Sequence, residues 1–178
     1  MKSLIETPPK TIMEVYKNLP EGTLAELIEN VIYMSPSPVT VHQKVLQLIF
    51  RRLSEAIEDQ GRGEVFVSAF DVYLDDLSNA VQPDVLVILN GNIGRLNPNG
   101  HFHGVPDFIV EVLSPGNKDH DLIKKKELYE RFGVMEYWVV DPQTKQALGF
   151  ELRNNTYQLL FEGQGTIQSA LLNLSFNF

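Results

Sequence analysis

The sequence predicts an α/β fold in which helices flank a mixed central β-sheet. Short apolar runs rich in Val and Ile have the length and composition of buried strands. Two longer stretches, residues 41–60 and 119–132, carry apolar residues at helical spacing. Because helices and strands alternate along the chain, the pattern is that of an α/β sandwich with additional β-hairpins.

The chain is long enough for one domain with a substantial core, since it has 178 residues of which 43% are hydrophobic. We expect a single domain over residues 1–178, with residues 1–10 as a loose leader. An apolar stripe predicts a short helix over residues 11–19. Residues 24–34 predict a hairpin that turns at Glu29-Asn30. The long helix follows this hairpin.

The remaining segments supply the rest of the sheet and its second helix. Strands are predicted at residues 65–74, 81–89, 108–113 and 137–140. Residues 90–104 are rich in Gly and Asn and predict a loop. Residues 146–161 predict two further strands around a turn at Asn154-Asn155.

Composition excludes several classes of protein. Because the sequence contains no cysteine, it has no disulfide, no zinc–thiolate site and no thiol catalysis. No apolar run reaches the length of about 18 residues that a membrane helix needs, and the N-terminus lacks a signal pattern. We therefore expect a soluble, cytoplasmic protein that makes no membrane contact.

The charge balance argues against general, non-specific binding of nucleic acid. The formal net charge is -8 and the pI is near 5.0, whereas phosphate contacts are made by Lys and Arg. Local basic clusters remain at Arg51-Arg52, Arg62, Lys118 and Lys124-Lys125-Lys126. A nucleic-acid partner would therefore be bound weakly, locally or only when a metal ion is present.

Two acids stand within apolar, strand-like runs, namely Asp84 and Glu111. An unpaired buried carboxylate costs several kcal/mol, and two carboxylates on neighbouring strands repel each other. A divalent cation such as Mg²⁺ would relieve both costs. Asp107 also follows a proline, but it is four residues from Glu111 on one strand, about 13 Å away at about 3.3 Å per residue. Asp84 and Glu111 are therefore the predicted metal ligands.

A lysine completes this constellation. At about 100° per residue, Lys125 lies near the middle of the apolar arc of the 119–132 helix, whereas Lys124 and Lys126 lie on its flanks. A lysine on the flank reaches water easily. The ammonium of Lys125, on the packing face of a helix that follows the Glu111 strand, is expected to meet the two carboxylates.

Pro83-Asp84, then Glu111 and then a lysine, resemble the PD-(D/E)XK nuclease superfamily. The run over residues 107–142, which contains Asp121-x3-Lys125-x3-Tyr129, is similar to the Uma family of uncharacterised restriction-endonuclease-like proteins. The superfamily's lysine two residues after the glutamate is Leu113 in this chain, and the resemblance implies that the helical lysine replaces it. The resemblance also implies a restriction-endonuclease-like fold.

Three further residues are candidates for accessory roles. Glu26 and His42 match family positions near the pocket, although an exposed hairpin acid and a helix-start polar group explain them equally well. Asp71 is a third acid in an apolar strand and a candidate to support the metal. His101 and His103 have a spacing that zinc accepts, but the sequence offers few other zinc ligands.

The predicted function is a metal-dependent endonuclease with DNA as its nucleic-acid partner. Asp84 and Glu111, with the Val112 carbonyl as the resemblance implies, would hold Mg²⁺ or Mn²⁺, and Lys125 would orient the attacking water. The alternative is a catalytically silent scaffold of the same fold that binds nucleic acid or protein. A hydrolase of a small phosphorylated substrate is a third candidate, and a homodimer is left open.

Overall fold

The structure, a computed structural model, describes residues 8–97, 100–114 and 120–178. The predicted leader therefore falls largely outside the described residues. The helices of the described part are α1 (Ile12–Lys17), α2 (Thr40–Ile57) and α3 (Lys126–Phe132), with a π-helical segment (His120–Lys125) that runs directly into α3. None of these described helices is both long enough and apolar enough to cross a membrane.

Thirteen strands are assigned in the described residues. They are β1 (Ala25–Ile28), β2 (Val31–Met34), β3 (Gly63–Val67), β4 (Val72–Tyr73), β5 (Ala80–Val81), β6 (Val85–Leu89), β7 (Phe102–His103), β8 (Phe108–Val112), β9 (Glu136–Val140), β10 (Gln146–Arg153), β11 (Thr156–Gln164), β12 (Thr166–Ser169) and β13 (Leu174–Asn177).

Six of these strands form the central sheet, in the order β11-β10-β9-β8-β6-β3. Within it, β8 and β9 run parallel and the other neighbouring pairs are antiparallel. A parallel pair needs a crossover connection, and the π-helical segment with α3 belongs to that connection. The predicted mixed sheet with flanking helices is therefore confirmed.

Different helices cover the two faces of the central sheet. On β8, Val110 packs in a cluster with residues of α2, whereas Ile109 packs in a cluster with residues of α3. Because alternate residues of a strand point to opposite faces, Glu111 faces α3. On β9, Trp138 packs on the α2 side, and so Glu136 faces α2. The two acids therefore lie on opposite faces.

A second sheet, in the order β2-β1-β5-β4-β7, carries Glu26 on its β1 strand. The β1–β2 hairpin turns at Glu29 and Asn30, whose φ values of 51° and 64° are those of a two-residue hairpin turn. Asn154 and Asn155 have φ values of 51° and 61° between β10 and β11. Both predicted hairpin turns are confirmed.

Two predicted strands are each divided in the structure. The 65–74 segment forms β3 in the central sheet and β4 in the second sheet, and the 81–89 segment forms β5 and β6 in those same two sheets. The chain crosses between the sheets at Gln82, Pro83 and Asp84, where proline has no N–H for a ladder hydrogen bond. The prediction that Asp84 lies inside a strand is therefore wrong, because it directly precedes β6.

Three smaller differences concern the helix, the loop and the C-terminus. The predicted 119–132 helix begins, within the described residues, with the π-helical segment. The predicted 90–104 loop contains a 3-10 turn (Ile93–Arg95) and β7, and its residues 98–99 lie outside the described part. The β12–β13 hairpin is not anticipated by the sequence pattern.

Candidate active site

A small cavity lies where β1, the start of α2 and the end of β8 come together. Its volume is about 90 Å³, which is room for about three water molecules at about 30 Å³ each. Five of the predicted site residues line it, namely Glu26, His42, Asp84, Glu111 and Lys125. The structure thus brings together residues from five separate segments of the chain.

Glu111 is held by two donors from one helix face. Only 2% of its surface is exposed, and its Oε1 accepts hydrogen bonds from the Tyr129 hydroxyl at 2.8 Å and the Lys125 ammonium at 3.0 Å. Tyr129 follows Lys125 by four residues, so both project from the same face. Burial, and then the charge of Glu111, raises the pKa of Tyr129 well above its usual range, which keeps its hydroxyl protonated as a donor.

Lys125 bridges two carboxylates. Its Nζ lies 3.0 Å from Glu26 Oε2 and 3.0 Å from Glu111 Oε1. Glu26 Oε1 accepts the Gln82 backbone N–H at 3.0 Å, and Nε2 of His120 lies 3.7 Å from Glu26 Oε2. Burial alone would raise the pKa of Glu26, but the Lys125 ammonium and these polar contacts outweigh burial and lower that pKa to about 2. An internal ammonium therefore supplies part of the compensation that the sequence assigns to a metal ion.

Asp84 enters the cavity from the chain crossing before β6. The antiparallel register of β6 and β8 extends to place Asp84 opposite Glu111. Its Oδ2 accepts the Val112 backbone N–H at 2.8 Å and lies 3.2 Å from Nε2 of His42, in the first turn of α2. Among the described residues, Oδ1 of Asp84 has no hydrogen-bond partner, and this oxygen is available to a ligand.

The two lysines beside Lys125 point elsewhere. Lys124 donates to the Tyr33 hydroxyl and its Nζ lies 4.6 Å from the centre of the Tyr33 ring. Lys126 places its Nζ 4.6 Å from the centre of the Phe150 ring. Lys125 is therefore the member of this lysine triplet that reaches the cavity, as the helical phase of the sequence indicates.

Asp107 makes contacts of a structural kind. Its Oδ2 accepts the Leu89 backbone N–H at 2.8 Å, and its Oδ1 accepts the Asn92 side-chain amide at 2.9 Å. Both contacts fix the connection that follows β6. Asp107 does not line the cavity, in agreement with the distance argument that favours Asp84.

Asp71 lies outside the cavity that contains Glu111. It lines a neighbouring cavity of about 270 Å³, together with His101. Nδ1 of His101 lies 3.7 Å from Asp71 Oδ2, whereas Nδ1 of His103 lies 3.6 Å from Asp76 Oδ1. The two histidines of the 90–104 segment thus pair with different acids.

Sequence reasoning missed three residues that contact the acids of the cavity, namely Tyr129, Gln82 and His120. Tyr129 has a signal in the sequence, because it stands four residues after Lys125 on the same helix face. Gln82 acts on Glu26 through its backbone N–H, and any residue type except proline could donate there. His120 approaches Glu26 from the π-helical segment, whose wider turns are not visible in an α-helical pattern.

The donor set of the cavity fits a divalent cation of the Mg²⁺ type. Three carboxylates, those of Glu26, Asp84 and Glu111, accompany the single Lys125 ammonium, which leaves an excess of negative charge when the histidines are neutral. Mg²⁺ is usually held by one or two carboxylates together with water and substrate phosphate. In the described ranges, no three His, Asp or Glu side chains are grouped to hold a metal by themselves. Asp84 and Glu111 would therefore need water or substrate oxygens as further ligands.

Comparison with known proteins identifies the family. The Uma2 family, described as "Putative restriction endonuclease", matches residues 13–177. No curated protein matches the chain significantly. A crystal structure described as a putative nuclease belonging to DUF820, from Anabaena variabilis ATCC 29413, has a TM-score of 0.76 and 21% sequence identity over 95% of each chain. The structural likeness confirms a restriction-endonuclease-like fold, and the family match over residues 13–177 shows that the chain belongs to the Uma2 family.

Proposed function

We propose that this protein is a metal-dependent endonuclease that hydrolyses phosphodiester bonds in DNA. Membership of the Uma2 family supports nuclease activity in general. The observation that carries the finer proposal is the joint presence of Asp84, Glu111 and Lys125 in one small cavity. In metal-assisted phosphodiester hydrolysis, oxygen ligands hold the ion and a nearby positive charge stabilises the negative charge that develops on the phosphate.

The two acids differ in how they are held. Asp84 and Glu111 would hold Mg²⁺ or Mn²⁺, which when bound polarises a phosphate and lowers the pKa of a coordinated water. Asp84 is fixed through Oδ2 by the Val112 backbone N–H and by His42, so Oδ1 stays open to the cavity. Glu111 is fixed through Oε1 by Tyr129 and Lys125.

Lys125 is suited to act on the phosphate. Its ammonium is already desolvated and is held between Glu26 and Glu111, so it needs little reorganisation to stabilise negative charge that develops on the phosphate. Glu26 would anchor the ammonium while Glu111 engages the ion. Glu26 and His42 are thus positioning residues in this proposal, one for Lys125 and one for Asp84.

One observation favours a second candidate, a catalytically silent scaffold that binds nucleic acid or protein. Lys125 compensates Glu26 and Glu111 without a metal, so the ion pairs alone are compatible with a structural role. The net charge of -8 also limits the number of phosphate contacts that the chain can make. Metal binding separates the two candidates, because a silent scaffold has no need of it.

The nuclease proposal is tested by plasmid cleavage with Mg²⁺ or Mn²⁺. We expect the wild type to cleave, and Asp84→Asn to lower the rate by about 100-fold or more because it removes a charged ligand. Asp107→Asn is the matched control, since Asp107 also follows a proline but contacts Leu89 and Asn92. It should retain cleavage at temperatures where it remains folded.

The same proteins should differ in metal binding. Mn²⁺ should raise the melting temperature of the wild type and of Asp107→Asn, and should raise that of Asp84→Asn much less. If wild-type protein with Mn²⁺ leaves DNA intact over hours and shows no metal-dependent rise in melting temperature, the silent scaffold is the better account.

A further inference from the structure

The cavity that contains Asp71 is larger than the cavity that contains Glu111 and has a different lining. Its volume of about 270 Å³ approaches the lower end, about 300 Å³, of the range for small-molecule sites. The cavity that contains Glu111, which we call the catalytic cavity, is smaller, at about 90 Å³. The larger cavity is lined by aromatic, basic and acidic side chains, among them Lys17, Asp71, Tyr73 and His101.

Asp71 offers this cavity a fixed acceptor. Its Oδ1 accepts hydrogen bonds from the Tyr16 hydroxyl at 2.8 Å and from the Gln82 side-chain amide at 2.9 Å. Its Oδ2 makes no hydrogen bond within the described part of the chain, and its ion-pair neighbour there is Nδ1 of His101 at 3.7 Å. Burial, and then the charge of Asp71, raises the pKa of Tyr16 above its usual range, so the hydroxyl remains the donor.

Gln82 joins the two cavities. It lines both of them. Its backbone N–H holds Glu26, while its side-chain amide donates to Asp71 and, at 3.1 Å, to the Thr23 carbonyl. Because Gln82 contributes to both linings, the two cavities adjoin, as a base and a phosphate of one strand require.

We propose that the larger cavity binds an unstacked base that carries an exocyclic amine, such as cytosine, from the strand whose phosphate enters the catalytic cavity. This inference rests on the proposed nuclease function and names the form of its substrate. A base inside a duplex is stacked and paired, so the cavity selects single-stranded or locally unpaired nucleic acid. Lys17, whose Nζ lies 5.0 Å from the centre of the Tyr73 ring, supplies a positive charge for a flanking phosphate.

The hydrogen-bonding groups of the base decide which base is accepted. A carboxylate accepts a hydrogen bond from the N4 amine of cytosine, whereas thymine presents its O4 carbonyl at the same position. Thymine would therefore place an acceptor against Oδ2 of Asp71. A good base contact discriminates by about 1–3 kcal/mol, so we expect oligo-dC to bind at least about fivefold more tightly than oligo-dT.

The test measures binding of labelled oligo-dC and oligo-dT of equal length to the metal-free protein, by fluorescence anisotropy at low salt. The informative variant is Asp71→Asn. Asparagine keeps an oxygen for the Tyr16 and Gln82 donors and turns its amide N–H groups into the cavity, so the preference should reverse toward oligo-dT. Asp59→Asn makes the same chemical change at an exposed acid that is outside this cavity. It is the matched control and should leave the preference for oligo-dC unchanged.

Four results would overturn this inference, and three of them concern the wild type and Asp71→Asn. They are the absence of binding to both oligonucleotides, equal binding of the two, and a preference that Asp71→Asn leaves unchanged in a folded protein. A preference that is lost in Glu111→Gln would place the base in the catalytic cavity and would also overturn it. Because binding is measured without metal, a failure to cleave DNA does not affect this test. If the enzyme cleaves DNA but Asp71→Asn leaves its base preference unchanged, this inference is refuted and the nuclease proposal is not.

Discussion

Glu111 and Glu136 are buried carboxylates on the neighbouring strands β8 and β9, and their surroundings differ in charge. Glu136 receives neutral donors, namely the Trp138 indole N–H at 2.7 Å, the Ser169 hydroxyl at 3.0 Å and the Leu171 backbone N–H at 2.8 Å. Burial raises the pKa of Glu136, and these hydrogen bonds offset part of that effect. Its contacts tie β9 to the chain around β12, which is a structural role.

Glu111 faces the other side of the sheet, where a buried ammonium and a cavity adjoin it. Lys125 and Tyr129 donate to one of its oxygens, and Asp84 stands opposite it in the same cavity. A carboxylate in an apolar strand is therefore no sufficient sign of a site, because Glu136 shows the same sequence pattern. A neighbouring cation and an open cavity distinguish the two acids.

The largest expected effect is on the ion-pair cluster. Lys125→Met should lower the free energy of unfolding by about 3–5 kcal/mol in the absence of metal, because it leaves buried carboxylates without their cation. Urea unfolding measures this loss. Adding Glu26→Gln to Lys125→Met should recover part of it, since one unpaired charge is removed.

The matched control for this variant is Lys126→Met. Lys126 loses a contact with the Phe150 ring, which is worth about 1 kcal/mol or less. Equal losses for Lys125→Met and Lys126→Met would contradict the view that the acids of the cavity depend on Lys125.

The two acid environments should give pH dependences of opposite sign, and the contribution of Glu26 is on the order of 3 kcal/mol. Glu26 has a lowered pKa in the folded state, so its contribution to stability is present above its usual value of about 4.3 and is lost as the pH falls toward about 2. Glu136 has a raised pKa. Its contribution is present below about 4.3 and is lost as the pH rises through the folded-state value.

These signs are read from the difference in unfolding free energy between the wild type and each neutral variant, measured from about pH 3 to about pH 7. The difference for Glu26→Gln should grow with pH, and the difference for Glu136→Gln should shrink. The same slope in both variants would show that the two carboxylates do not experience the different surroundings described above.

The smallest expected effect is on the positioning of Glu111. Tyr129→Phe removes one hydrogen bond to Glu111 Oε1 and should cost about 1 kcal/mol in stability. Because Lys125 still holds the same oxygen, cleavage should fall by about tenfold or less, with a larger change in the Mn²⁺ concentration needed for half-maximal rate. If Tyr129→Phe leaves the metal dependence unchanged, Tyr129 supports only the fold and does not position Glu111 for metal binding.

The sequence predicts much of this site because its signals are local. The helical phase separates Lys125 from Lys124 and Lys126, and the two-residue hairpin turns follow from Glu29-Asn30 and Asn154-Asn155. The apolar runs likewise identify the strands of the central sheet. In each case the preference of a short segment agrees with its tertiary environment.

The remaining features depend on contacts between distant segments. The ion pair of Glu26 with Lys125 joins residues that no local pattern relates. The predicted strand is broken at Pro83 because the chain passes there from the second sheet to the central sheet. Asp84 therefore lies outside the strand. Glu136 and Glu111 have similar sequence neighbours, and the faces of the sheet that they occupy decide their different roles.

The central claim is that Glu111 belongs to a reactive metal site and Glu136 does not. Plasmid cleavage with Mn²⁺ by Glu111→Gln and Glu136→Gln, compared with the wild type at a temperature where all three are folded, tests it directly. Glu111→Gln leaves Lys125 paired with Glu26, so the fold should persist while cleavage falls by about 100-fold or more. Glu136→Gln should retain cleavage per folded molecule. Equal activity of the two variants, or loss of cleavage in Glu136→Gln with retention in Glu111→Gln, would contradict the account.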